Sequence, residues 1–308
     1  MIDFIRYFAL DRERFLNKLE ESEKIELISL YNNKTYVLND FPKTAYYNNM
    51  FVKVTENQVS IEGSLHKYYN IIENFGKQNH NDFSYCDFKY ALGYLQNTCP
   101  INNMETKVTN LEFGINIDID LNPADLIDNY ILMYDYKAPN RNEKFYGKGD
   151  YLEFKMSDYS IKIYNKSKQY SLKNRNILRV ELKIVRSRYL KKHFGIYTLQ
   201  DLDKKRFKLL FEKLLEHFDK LLIIDTLSLN TPGRIDEMIL FQNGISHSYW
   251  KELTKNKTYK VKNRFKNDFN SILRFHSLLK TKKKLRNLLI DKFETLMNCN
   301  YEEIKIAA

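Results

Sequence analysis

Strict alternation of apolar and polar residues marks two long strands. In VTNLEFGINIDIDL, residues 108–121, Leu111, Phe113, Ile115, Ile117 and Ile119 fall on one face, and Glu112, Gly114, Asn116, Asp118 and Asp120 on the other. ILRVELKIVRSRYL, residues 177–190, repeats the pattern, with Leu178, Val180, Leu182 and Ile184 opposite Arg179, Glu181 and Lys183. SIKIYNKSKQY, residues 160–170, reads as a third strand; if it persists, Lys162, Tyr164, Lys166 and Lys168 share a face. FVKVTENQVSI, residues 51–61, predicts a hairpin turning at TENQ, and MIDFIRYF at the start is a short apolar run. Two segments of this region have helical spacing. DFSYCDFKYALGYLQNTC places Phe88, Ala91, Leu92 and Leu95 on one side, and NPADLIDNYILMYD begins with Asn122 as N-cap and Pro123 at its first position.

From about residue 198 the period becomes helical. TLQDLDKKRFKLLFEKLLEHFDKLL predicts one long amphipathic helix with Thr198 as N-cap. NTPGRIDE is a loop, residues 234–249 a short helix, and Val261 to Leu296 a helical stretch interrupted by KTKKK at 280–284. The expected fold class is α+β: a core over residues 1–197 with a central, mostly antiparallel sheet, then a helical, basic region over residues 198–308.

The 308 residues are 43% hydrophobic with a mean hydropathy of −0.55, enough apolar content for a large packed core. With 9 Gly and 5 Pro, collagenous and low-complexity chains are excluded. No secretory h-region and no apolar run of membrane-spanning length is visible, so a cytoplasmic protein without a membrane partner is expected. Cys86, Cys99 and Cys299 lack the spacing of a disulfide scaffold or zinc ribbon and are expected to be buried free thiols. The charge of +11 is unevenly spread. Residues 1–150 hold 16 Lys and Arg against 22 acids, residues 151–250 hold 19 against 11, and residues 251–308 hold 15 against 6. An acidic half followed by a basic half suits a carboxylate-bearing site beside a surface that grips a polyanion, nucleic acid first among candidates.

Glu112 and Glu181 stand on the polar faces of otherwise apolar strands. Such carboxylates meet solvent, a partner or a metal, and Mg²⁺ or Mn²⁺ takes carboxylate oxygens when phosphate completes its shell. His66 is a candidate third ligand, with His80 behind it. Tyr164 is a candidate nucleophile: a phenolic oxygen can attack a phosphodiester and keep the phosphate as an ester. Lys166 and Lys168, two and four residues on, would lower its ordinary pKa near 10. In the tail, Lys282, Lys283 and Lys284 cluster, and other lysines surround Tyr249, Trp250, Tyr259 and Phe265, a mixture suited to phosphate neutralisation and base stacking. Walker loops, GxGxxG, HExxH and GxSxG are absent, which removes the corresponding nucleotide-binding and hydrolase readings.

The run ILRVELKIVRSRYLKKHFGIYTLQDLDKKRF resembles a segment of the gene II replication proteins of filamentous phages. There an apolar-Arg-apolar-Glu strand leads into a Tyr-Leu-Lys, Phe-Gly stretch. GSLHK with NHNDF, LEFGINI with NPADLIDNYI, and IYNKSKQY agree in the same order, as does the opening Met-Ile-Asp, over about residues 1–225. The Tyr-x-Lys and Arg-x-Glu strands are also similar to those of plasmid rolling-circle initiators of the Rep_trans kind. The resemblance implies a Rep-type nuclease core and a metal-dependent tyrosine endonuclease and strand transferase. Such an enzyme nicks one strand at the double-strand origin of a plasmid or phage-like element, holds a 5′-phosphotyrosine, and later rejoins the displaced strand. It places Tyr164 as nucleophile, Lys166 as its companion, Glu112 and Glu181 at the acidic positions and Lys67 on an early lysine. With the sheet-face residues Arg179 and Lys183 and the tail lysines, Lys67 is expected to contact DNA. The implied partners are duplex and single-stranded origin DNA, a host helicase and a DNA polymerase in a bacterial host, with a homodimer left open. A conjugative relaxase with the same chemistry and a non-catalytic DNA-binding regulator are the alternatives.

Overall fold

A computed structural model of the chain describes residues 1–34, 36–99, 102–140, 150–226 and 234–299, with Asn32 described by its backbone alone. Its centre is a nine-stranded sheet. In chain order the strands are β1 (Ile2–Ala9), β2 (Ile28–Asn32), β3 (Val37–Tyr47), β4 (Met50–Val54), β5 (Val59–Ser64), β6 (Thr106–Asp118), β8 (Tyr151–Lys155), β9 (Tyr159–Asn165) and β10 (Ile177–Ile184). They lie side by side as β2-β3-β4-β5-β1-β6-β10-β9-β8, every neighbouring pair antiparallel. β7 (Ile131–Tyr134) and β11 (Leu221–Ile223) form a separate two-stranded ribbon.

The alternation read in β6 and β10 is the two-faced character of this sheet. Leu111, Phe113, Ile115 and Ile117, with Leu178, Val180, Leu182 and Ile184, are buried on one face. Three helices, Tyr85–Thr98, Lys204–Asp219 and Lys280–Met297, cover that face, with Phe113 meeting Phe207 and Phe293 and Phe293 stacked on Phe211 at 3.9 Å. Fully burying each such aromatic or aliphatic side chain stabilises the fold by about 1.5–3 kcal/mol before ordering costs. The opposite face carries Glu112, Asn116, Arg179 and Glu181.

Several local expectations change. The strand of Tyr164 ends at Asn165, whose side chain caps a helical turn, Lys166–Gln169, by accepting the Lys168 N–H at 3.0 Å. RSRYL leaves the sheet as the helix Ser187–Phe194. The predicted helix from Thr198 starts later, at Lys204, because Asp203 caps it, and Leu221–Ile223 is strand, held by pairing to β7. NPADLIDNYILMYD keeps its Asn122 cap, and its helix, Pro123–Asp125 continuing as a π-helical segment Leu126–Tyr130, stops where ILMY becomes β7. The helical break falls at residues 276–279, and KTKKK opens the last helix. Residues 230–233 of the expected loop lie outside the described residues.

The helices past residue 197 divide between two cores. Lys204–Asp219 and Lys280–Met297 share the sheet's cluster, whereas Ile235–Gly244, His247–Asn256 and Tyr259–Phe275 pack around Trp250 and Phe269 on the β7–β11 ribbon. Cys86 and Cys299 are joined as a disulfide with Cα atoms 6.0 Å apart, which corrects the expectation of separate thiols. The pairing joins the start of one helix to the residues after another across 213 positions, so no short spacing announces it. Cys99 is a buried free thiol. No described helix is long and apolar enough to cross a membrane.

Where sheet and ribbon meet, His217 is buried between three tyrosines. Tyr134 Oη lies 2.7 Å from its Nδ1, Tyr189 Oη 3.4 Å from its Nε2, and the Tyr159 ring 4.4 Å away. Burial, helped by Lys220 and Lys213, lowers its pKa from 6.5 to about 4. The folded state therefore keeps His217 neutral while the unfolded chain takes up a proton below 6.5. This contribution is intact above 6.5 and is lost as the pH falls towards 4, about 2 kcal/mol of it by pH 5. Denaturant titrations at pH 7 and pH 5 should show His217→Gln losing less stability between them than the parent. Equal losses would remove His217 as the cause.

Candidate active site

The polar face of β6, β10, β9 and β8 brings the sequence candidates together by register. Glu112 pairs with Lys183, Gly114 with Glu181 and Asn116 with Arg179; Lys162 pairs with Glu181 and Tyr164 with Arg179. Glu112 and Glu181 are thus diagonal neighbours on one face. Lys162 Nζ lies between them, 3.0 Å from Oε1 of each, and Lys183 Nζ lies 3.1 Å from Glu112 Oε1. Glu181 Oε2 accepts from Arg179 Nε at 2.9 Å and from the Tyr164 hydroxyl at 3.1 Å.

Arg179 is 2% exposed, so its guanidinium faces protein and not a DNA surface. Besides Glu181 it donates to Asn116 Oδ1 at 3.0 Å and lies 3.7 Å from Asp3 Oδ2. Gly114 makes this possible. A Cβ there would come within 3.0 Å of the guanidinium carbon. Asp3, on β1, extends the network: it accepts from Ser64 Oγ and from Asn79 Nδ2. Asn79 Oδ1 in turn accepts from Lys166 Nζ at 2.7 Å and from the Tyr170 hydroxyl. Although its strand has ended, Lys166 folds back beneath the site, with Nζ 5.1 Å from the Tyr164 ring centre and 5.4 Å from that of Tyr170. Lys168 turns outward to Asp150, 2.8 Å away.

These charges shift one another. Burial would raise Glu181, but Lys162 and Arg179 outweigh it and hold the carboxyl far below its ordinary value. Burial, then Glu181, raises Glu112. Burial would lower Lys162, and the two glutamates reverse that and raise it. Burial, with Arg179 adding to it against the pull of Asp3, lowers Lys166 to about 7. Tyr164 goes up, not down as the neighbouring lysines suggested: burial and the Glu181 carboxylate both oppose its ionisation. The physical reason is that Lys162 is committed to the glutamates and Lys168 faces away.

A divalent ion shared by Glu112 and Glu181 meets the Lys162 ammonium at the point between them. His66 does not join the pair; its Nε2 lies 2.8 Å from Asn81 Oδ1 and its ring stacks on Phe83 at 4.7 Å. Burial holds it well below its usual pKa. Among the described residues no three His, Cys, Asp or Glu side chains group as metal ligands. The donor set as placed fits an ammonium, not Mg²⁺ or Mn²⁺, and no step below passes through a metal.

Lys67 sits in the helix Leu65–Ile72, and its charge helps depress Lys166. The tail lysines lie elsewhere. Lys282 Nζ donates to the carbonyls of Asp219 and Leu221, both at 2.7 Å, Lys284 pairs with Asp120, and Lys283 is exposed. Asp3 and Asn79 lie in the opening Met-Ile-Asp and in NHNDF, two of the stretches that resemble the phage proteins, but sequence reasoning gave neither a role in the site.

No family model matches the sequence, and no curated protein matches it. A solved structure similar to this chain is that of a rolling circle replication initiator protein from Geobacillus stearothermophilus. It is 12% identical in sequence, with 76% of this chain and 89% of that chain covered, at a TM-score of 0.41.

Proposed function

We propose that this chain is a rolling-circle replication initiator of the gene II kind, which nicks one DNA strand at an origin through Tyr164. The observation that carries the reading is the placement of the Tyr164 hydroxyl. It donates to the buried Glu181 while Lys166, with a pKa near neutrality, stands over the same ring. The residue pattern that resembles the phage proteins falls on this cluster.

In the proposed step Tyr164 Oη attacks the scissile phosphorus. A phosphotyrosyl P–O bond forms, the P–O3′ bond breaks, and the 3′ oxygen leaves as a hydroxyl, taking its proton from solvent water. Lys166 is the better sink for the tyrosine proton. Glu181 accepts the hydrogen bond, but its depressed pKa makes it a weak base. Lys166 Nζ stands 5.1 Å from the Tyr164 ring centre, and once protonated it offsets charge on the phosphorane. Lys162 and Arg179 act as positioning residues that hold Glu181. The released 3′ hydroxyl would prime a host polymerase behind a helicase, and the phosphotyrosine keeps the bond energy for rejoining. A regulator that only binds DNA needs no such convergence. A relaxase would share the chemistry and differ in the DNA it cuts.

The test is incubation with supercoiled plasmid carrying the DNA that flanks the chain's own gene, with and without Mn²⁺. Open circles with protein on the 5′ end are expected, and their absence under both conditions rejects the reading.

The basic tail makes a separate prediction about grip on flanking duplex. Changing Lys283 and Lys284 to Ala should flatten the log–log salt dependence of binding by up to about 1.8, at ~0.9 per phosphate contact. Adding Lys282→Ala should change it no further, since that ammonium is held by backbone carbonyls. An equal further step on the third change would show that Lys282 swings out to phosphate.

A further inference from the structure

A cleft of about 470 Å³ opens on the same polar sheet face, at the β8 edge beyond Lys162. That is the size of a small-ligand site. Tyr151, Glu153, Tyr159, Ser160, Lys162 and Lys183 line it. Two of these are buried polar groups with unmet hydrogen-bonding capacity. Ser160 is 4% exposed, and its Oγ has no hydrogen-bond partner. Glu153 is likewise 4% exposed, and the one hydrogen bond to its carboxylate among the described residues comes from the Tyr151 hydroxyl, at 2.8 Å. Glu153 pairs with Lys162, and Ser160 pairs with both Lys155 and Lys183, so the two groups are diagonal neighbours on one face. Burying a hydroxyl and a carboxylate this way costs free energy unless a ligand completes them.

We propose that this cleft receives one unstacked base carrying an amino group beside an unprotonated ring nitrogen, cytosine or adenine, from the strand next to the cleaved phosphate. The inference rests on the DNA-cleaving reading and names what that site selects. A carboxylate only accepts, so Glu153 takes the exocyclic amine. The Ser160 hydroxyl then donates to the adjacent ring nitrogen. Thymine fits less well: it has no amine, and its N3–H lies between two carbonyls that would face the carboxylate. Tyr151 stands at the rim of the cleft, and Lys183 lies on the wall where the phosphate would run. Tyr151 also stands 6.1 Å from Tyr164, ring to ring, which places the bound nucleotide beside the nucleophile.

Fluorescence anisotropy of the full chain with short homopolymeric dC, dA and dT strands reads this without cleavage. The dC and dA strands should bind about tenfold more tightly than dT, the scale of one good base-edge contact. Glu153→Gln should narrow the preference, because its amide can donate to thymine O4 as well as accept an amine. Ser160→Ala removes a hydroxyl that bonds to nothing in the fold, so the variant should fold and lose most of the preference. Equal binding of dC and dT by the parent overturns the proposal, as does a preference untouched by Ser160→Ala. A preference for dC and dA in a chain that never nicks plasmid would keep the cleft assignment and reject the cleavage reading. Nicking with no base preference would do the reverse.

Discussion

Tyr164→Phe should abolish nicking and the covalent 5′ adduct while leaving origin binding close to that of the parent, if Tyr164 is the nucleophile. The substitution removes one oxygen, and the structure shows what that oxygen does for the fold. It donates to Glu181, whose same oxygen still accepts from Arg179 at 2.9 Å. A single such bond contributes about 0.5–1.5 kcal/mol, and no charge is left unpaired by its loss. The chemistry, by contrast, loses its nucleophile outright. Gel assays of plasmid nicking, with end-labelled DNA to detect the protein adduct, separate the two effects. Tyr170→Phe is the matched control. It also faces Lys166, but its hydroxyl is tied to Asn79, so nicking should survive. Adducts persisting in Tyr164→Phe would move the nucleophile elsewhere, with Tyr170 first in line.

How much of this was legible in the sequence differs by element. β6 and β10 were readable because a two-faced sheet imposes a period of two, and neither strand is interrupted by Gly or Pro in a way that breaks it. Gly114 reads in the sequence only as one position of the polar face, and its role emerges when the Arg179 guanidinium is seen lying across it. The hairpin at TENQ was readable for a similar reason: alternation on both sides fixes the register of β4 and β5. Helix ends were less so. Thr198 and Asp203 are both good caps, and tertiary contacts select the second for the long helix.

The site was legible as a set of residue types and hidden as a set of charges. Alternation alone puts Glu112, Glu181 and Tyr164 on the polar sides of their strands, and the strand order β6-β10-β9 brings those sides onto one face. That Lys162 stands between the glutamates depends on which strand lies next to β10, and no local pattern carries that. Lys166 reached the site by a different route from the one expected. Alternation placed it there by continuing the strand, whereas the chain turns at Asn165 and the long side chain reaches back to Asn79. Asp3 and Asn79 come from segments far from these strands and meet them only through the fold. The raised Tyr164 pKa follows from the same point: a lysine lowers a neighbour's pKa only if its charge is not already matched.

The nicking rate rises with pH through about 7 and levels off above it, about tenfold per unit on the acid side, if Lys166 takes the Tyr164 proton. The sign follows from the depressed pKa. Below 7 the ammonium is already protonated and cannot accept; above 7 the free amine can. If Lys166 served only as a fixed cation, the dependence would have the opposite slope, with the rate falling as the charge is lost. Lys166→Arg sharpens the choice, because it keeps the positive charge and cannot act as a base at any pH used. It should retain DNA binding and lower the single-turnover nicking rate by about 10²–10⁴-fold, with the acid limb gone from what remains. Full activity in Lys166→Arg would assign the residue to charge neutralisation and leave Glu181 as the proton's first stop. That outcome would also require the Glu181 carboxyl to lose the hold of Lys162 or Arg179 when DNA binds, since with both in place it is too acidic to keep the proton.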